Sequence, residues 1–60
     1  MNDLPNNPFM LVSAVNTLLR DGEFDSLEDL CAYYDRETDS MREYLLQYGY
    51  TYNETQKQFK

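Results

Sequence analysis

No histidine occurs in the chain, so a Ser-His-Asp constellation and histidine-based proton transfer are both absent. The single thiol, Cys31, falls at helical spacing among Leu27, Leu30 and Tyr34. That makes it an inert core residue, since a reactive thiolate wants exposure and a neighbouring cation, and no basic residue is expected beside it. It has neither a second cysteine for a disulfide nor a second soft ligand for zinc. The two glycines, Gly22 and Gly49, do not form a phosphate-cradling loop. Carboxylates are abundant, but Glu28 with Asp29 and Glu37 with Asp39 read as helix-start and surface groups rather than as a general acid and base. The acidic stretch "DGEFDSLED" lacks the oxygen-ligand spacing of a calcium loop, which closes on a glutamate at its twelfth position. The residues therefore predict a non-enzymatic protein with no cofactor, no metal and no catalytic set.

Charge narrows the choice of partner. Eleven acidic and five basic side chains give a net charge of −6, a field that repels phosphate backbones unless the cations gather on one face. They do not cluster in the sequence: Arg20, Arg36, Arg42, Lys57 and Lys60 are spread along it. Nucleic acid is thus a disfavoured partner, kept as the alternative, with Arg36, Arg42 and Lys57 as its candidate contacts. The longest apolar run, "FMLV" at 9–12, is far short of the roughly 20 residues needed to cross a bilayer. With no secretory leader pattern and a lone cysteine, the expectation is a cytoplasmic protein with no membrane contact.

The elements that would position any site follow from capping residues and periodicity. Residues 1–60 are expected to form a single small domain, too short for a deep enzymatic cleft. In the first segment Asn7 can cap the free amides, Pro8 suits the first helical position, and Gly22 is a natural stop. Leu11, Ala14, Val15 and Leu18 share one face, widened by Val12 and Leu19, so this helix is expected to touch more than one neighbour. Ser26 opens a second helix whose core stripe is Leu27, Leu30, Cys31 and Tyr34. A third begins with Thr38 as the best cap candidate, or earlier with Asp35 as the alternative, presents Met41, Tyr44, Leu45 and Tyr48 on one side, and ends at Gly49.

Beyond Gly49 the period changes to two, and "YTYNETQKQF" reads as a hairpin whose glycine-free connection leaves the register unassigned. The predicted fold class is mainly α: a three-helix, helix-turn-helix-like bundle followed by a short C-terminal β-hairpin. Three apolar residues fall off the core stripes, namely Phe9, Met10 and Leu46. Read as a contact patch, they point to a protein-interaction module whose partner is another protein or a second copy of the chain. The alternative is a DNA-associated transcriptional regulator of winged helix-turn-helix type. In that reading the third helix presents Asp39, Glu43, Leu46 and Gln47 to the groove, two of them acidic.

The segments "LPNNPFMLVSAVNTLLRD" at 4–21, "SLEDLC" at 26–31 and "YGYTYNETQKQF" at 48–59 resemble a family of short, uncharacterised bacterial proteins known only as a domain of unknown function. The likeness runs over nearly the whole chain and is most specific in the opening, at Leu4, Pro5, Pro8, Met10, Leu11, Ser13, Asn16, Leu18, Arg20 and Asp21. Glu37 and Arg36 depart from the family pattern, where an aspartate and an aliphatic residue are common. The resemblance implies a small bacterial protein and carries no activity across. Its polar signature suggests a structural clamp on the first helix, Asn16 with Arg20, in which Arg20 reaches Asp3, Asp21 or the carbonyls of the N-terminal "LP" segment; the competing reading is a pair that contacts a partner.

Overall fold

The computed structural model describes residues 4–60, which fold as three helices and a two-stranded antiparallel hairpin. The first helix, α1 (Pro8–Arg20), starts where Asn7 accepts from the amides of Phe9 and Met10 and Pro8 takes the position where no N–H is needed. The second, α2 (Leu27–Tyr33), opens on Ser26, whose hydroxyl accepts from the Asp29 amide. The third, α3 (Thr38–Leu46), is preceded by Glu37. Glu37 makes no side-chain cap; its carboxylate instead accepts from the Ser40 hydroxyl. Thr38 is therefore the first helical residue rather than the cap.

All three helices close in the same way. Each ends in a left-handed residue, Gly22, Asp35 or Gly49, with φ of 81°, 58° and 91°. The next amide reaches back five residues: Glu23 to Leu18, Arg36 to Cys31 and Tyr50 to Leu45. Asp35, which was also a candidate to start α3, in fact terminates α2, and it holds without glycine a conformation that glycine adopts freely.

The hairpin pairs β1 (Tyr52–Asn53) with β2 (Gln58–Phe59), Tyr52 opposite Phe59 and Asn53 opposite Gln58. Its register comes from a four-residue connection in which Asn53 accepts from the Gln56 amide and Lys57 adopts φ 55°. A hairpin this short is not stable alone, so its position depends on what it rests against. Phe59 is buried and its ring packs on Tyr52 at 5.0 Å. The backbone of Phe59 is tied to α1: the Asn16 side chain donates to its carbonyl at 3.1 Å and accepts from its amide at 2.7 Å.

The core lies between the helices and under β2: Leu4, Leu11, Val12, Val15, Leu19, Leu27, Leu30, Cys31, Met41, Leu45 and Phe59. Two expectations about the stripes change. Leu18 and Ala14 are only half-buried, because α1 turns Leu11, Val12, Val15 and Leu19 toward its neighbours. Tyr48 lies beyond the end of α3 and is exposed. Tyr44 Oη of α3 donates to the Asn6 carbonyl at 2.8 Å and Arg36, in the turn before α3, donates to the Leu4 carbonyl at 3.4 Å, which draws the N-terminal segment onto that end of the bundle.

Candidate functional site

Rotating α1 toward the hairpin leaves Met10, Ala14 and Leu18 in a row one turn apart, outside the core. Leu4, Pro5 and Tyr34 flank the row, and with it they line a shallow apolar depression of about 600 Å³. Met10 is 61% exposed and Phe9 59%. Phe9 borders this depression and also meets Tyr48 and Tyr50 edge-on, each at 6.3 Å between ring centres. Leu46, 57% exposed, lies in a second groove of about 300 Å³ between α3 and β1, where Tyr50 also sits. The three sequence candidates Phe9, Met10 and Leu46 are thus parts of one band, joined through Tyr50. The members that period-counting missed are Ala14 and Leu18, assigned to the core stripe, and Tyr34, assigned to that of α2.

Acidic groups dominate α3. Glu37, Asp39 and Glu43 are exposed on it or at its start, and Asp39 and Glu43 face the second groove. The candidate nucleic-acid contacts do not line up beside them. Arg36 is half-buried at the start of α3, its guanidinium on the Leu4 carbonyl. Arg42 lies over the Tyr52 ring at 5.6 Å and within 4.0 Å of Glu54. Lys57 is exposed at the end of the hairpin connection, beside a depression it shares with Arg20 of α1 rather than with α3.

The two clamp candidates on α1 have different surroundings. Asn16 makes the paired bonds to Phe59, a partner that spacing along the chain gave no means of finding. Arg20 is 79% exposed, with Nε 3.8 Å from Asp21. Asp3, the other carboxylate weighed for it, lies outside the described residues. The arginine that reaches the N-terminal segment is Arg36.

Among the described residues, Cys31 and Tyr52 titrate away from their ordinary values. Burial pushes the Cys31 thiol up, against a smaller opposing hydrogen bond with Thr38; the sulfur lies 3.8 Å from that of Met41. Burial also raises the Tyr52 phenol, reinforced by Glu28 and Glu54 and partly offset by Arg42. Neither group has the depressed pKa of an activated nucleophile. Among the described residues, no cluster of three or more carboxylate, cysteine or histidine side chains is placed to hold a metal ion. No helix among them is long and apolar enough to cross a membrane.

Three helices followed by a short hairpin packed on the first make a winged-helix-like domain. The chain belongs to the DUF4250 family, described as a domain of unknown function, whose match spans residues 5–59. Neither the curated proteins nor the solved structures give a match.

Proposed function

We propose that this winged-helix-like domain works by docking on another polypeptide, with the α1 face of Met10, Ala14 and Leu18, flanked by Leu4, Pro5, Phe9 and Tyr34, as its contact surface. One observation carries the reading: a contiguous apolar row stands outside the core of a domain too small to leave such area in water without consequence. A net charge of −6 on every copy opposes self-association, so the favoured partner is a different chain. Met10→Glu and Leu18→Glu test it. Met10→Glu is expected to keep the wild-type far-ultraviolet circular dichroism and melting curve, and Leu18→Glu, at a half-buried position packed against the core, to fold with a lower melting temperature, while both lose photo-crosslinks formed from a benzophenone side chain at position 14 in the native cell. Crosslinks that persist in both variants refute the surface. Sedimentation across a wide concentration range checks the second-copy reading, which needs a concentration-dependent dimer.

The second reading, a DNA-associated regulator, is favoured by the architecture itself, since folds of this type place the third helix in the major groove with the wing beside it. Its difficulty is electrostatic: Asp39 and Glu43 would face a phosphate-lined groove while Arg36 and Arg42 are engaged within the protein. Fluorescence anisotropy with mixed-sequence duplex DNA at low salt is expected to show no binding. Salt-sensitive binding there would restore the regulator reading.

A further inference from the structure

The hairpin has two edges, and only one is filled. Thr51 and Lys60 exchange both backbone bonds, Thr51 N to Lys60 O at 3.0 Å and Lys60 N to Thr51 O at 2.9 Å. In an antiparallel pair the next residues therefore turn their N–H and C=O groups outward. Those residues are Tyr52 and Phe59. On the β2 side the outward groups of Phe59 meet the Asn16 carboxamide, which supplies one donor and one acceptor just as a third strand would. On the β1 side the outward groups of Tyr52 meet no partner among the described residues.

We propose that this open edge takes an extended, basic polypeptide segment, which adds as a strand beside Tyr52 and lies in the groove between α3 and β1. The proposal rests on the reading that the partner is a polypeptide and assigns it a second contact, distinct from the α1 face. The groove supplies the side-chain half of the recognition. Asp39, Glu43 and Leu46 line it at successive turns of α3, with Tyr50 opposite. Four residues along a helix advance about 6 Å, and two along a strand about 6.6 Å. Alternate side chains of an added strand therefore match the turn-by-turn spacing of α3. Two of them carry positive charge to Asp39 and Glu43, and the next is aliphatic and covers Leu46. Arg42 shares the groove, but it is already stacked on Tyr52 and near Glu54, so it offers little opposition to a basic ligand. Backbone bonds at the edge give such a ligand its direction, and the α3 side chains select its charge.

A palindromic heptapeptide tests this without assuming strand direction: valine-threonine-lysine-threonine-lysine-threonine-valine, acetylated and amidated. In ¹H–¹⁵N spectra of the full chain it is expected to shift the amides of Leu46, Tyr50 and Tyr52 and to slow hydrogen exchange at Tyr52. N-methylation at alternate amides, made in both phases, should abolish binding in one phase and spare it in the other, since only one set of amides faces the edge. Glutamate in place of both lysines should abolish it as well. The double variant Asp39→Lys, Glu43→Lys is expected to bind the lysine peptide about tenfold more weakly, consistent with two exposed charge contacts. The proposal is overturned by equal tolerance of N-methylation in both phases, or by unchanged affinity in the charge-reversed protein. Shifts confined to Met10, Ala14 and Leu18 overturn it too while leaving the α1 face standing as a polypeptide site.

Discussion

Replacing Asn16 removes the pair of hydrogen bonds that ties α1 to the last strand. In Asn16→Ala the amide and carbonyl of Phe59 both lose their partner in a half-buried setting where water replaces it incompletely. Each such bond contributes about 0.5–1.5 kcal/mol, so the pair together is worth about 2 kcal/mol. For a domain of this size that is a fall in melting temperature of roughly 8–16 °C. Urea and thermal unfolding followed by circular dichroism give the stability, and hydrogen exchange at the Phe59 amide locates the loss. Ser13→Ala, one turn earlier and exposed, is the control and should stay within about 0.5 kcal/mol of wild type. Asn16→Asp keeps the acceptor, removes the donor and sets a carboxylate against the Phe59 carbonyl. Repulsion from that carbonyl and partial burial raise its folded-state pKa, against the Phe59 amide bond, which favours the carboxylate. The bond it makes when protonated is fully present below the unfolded value of about 4 and is lost as pH rises through the folded one. The gap between Asn16→Asp and wild type should accordingly narrow in acid. If Asn16→Ala unfolds within about 0.5 kcal/mol of wild type and the Phe59 amide exchanges at an unchanged rate, the third-strand role of this side chain is wrong.

Arg36→Ala is expected to destabilise by about 1 kcal/mol through release of the Leu4 carbonyl, whereas Arg20→Ala should change urea-unfolding stability by less than about 0.5 kcal/mol. Lys57→Gly should stabilise by roughly 0.5–1 kcal/mol in the same assay, because it relieves a left-handed conformation at a position with no close tertiary role for the side chain. Cys31 and Tyr52 both ionise more readily unfolded than folded, so their contribution to stability is complete below the ordinary thiol value of 9.0 and declines above it as pH rises through the raised folded values. Melting temperature should fall from about pH 9 upward, and Cys31→Ala should soften that fall. A thiol reagent at pH 8 should modify Cys31 only at the rate of unfolding, because the side chain is buried.

The helices and the hairpin were legible because their signals are local. Asn7, Pro8 and Ser26 start helices where capping chemistry says they should, and Gly22 and Gly49 end them. What was not legible depends on groups distant in sequence. Asn16 and Phe59 are 43 residues apart, and nothing in the neighbourhood of either names the other. Leu18 and Ala14 look like core by period alone; only the rotation of α1 toward β2 decides that they lie half-buried at its margin. Asp35 misled as a helix starter because aspartate suits both an N-cap and a left-handed ending, and the amide of Arg36 reaching Cys31 settles which one it is. For the exposed apolar band, Phe9, Met10 and Leu46 were visible as misfits to the stripes. Tyr50, which joins them, was counted only as a strand residue.

The wing is fastened at its base on both sides, with Phe59 held by Asn16 and Tyr52 covered by Arg42, while residues 54–57 are exposed and reach the helices only through Glu54 near Arg42 and the shallow depression that Gln56 and Lys57 share with α1. Lengthening the connection between Thr55 and Gln56 gives up the Asn53–Gln56 turn bond and leaves the register to the Asn16–Phe59 tie, while each doubling of the loop adds only about 0.6 kcal/mol of closure entropy. The tip of the wing is the place on this domain where a fluorophore-bearing loop or a grafted epitope can be carried away from both of the surfaces proposed for contact.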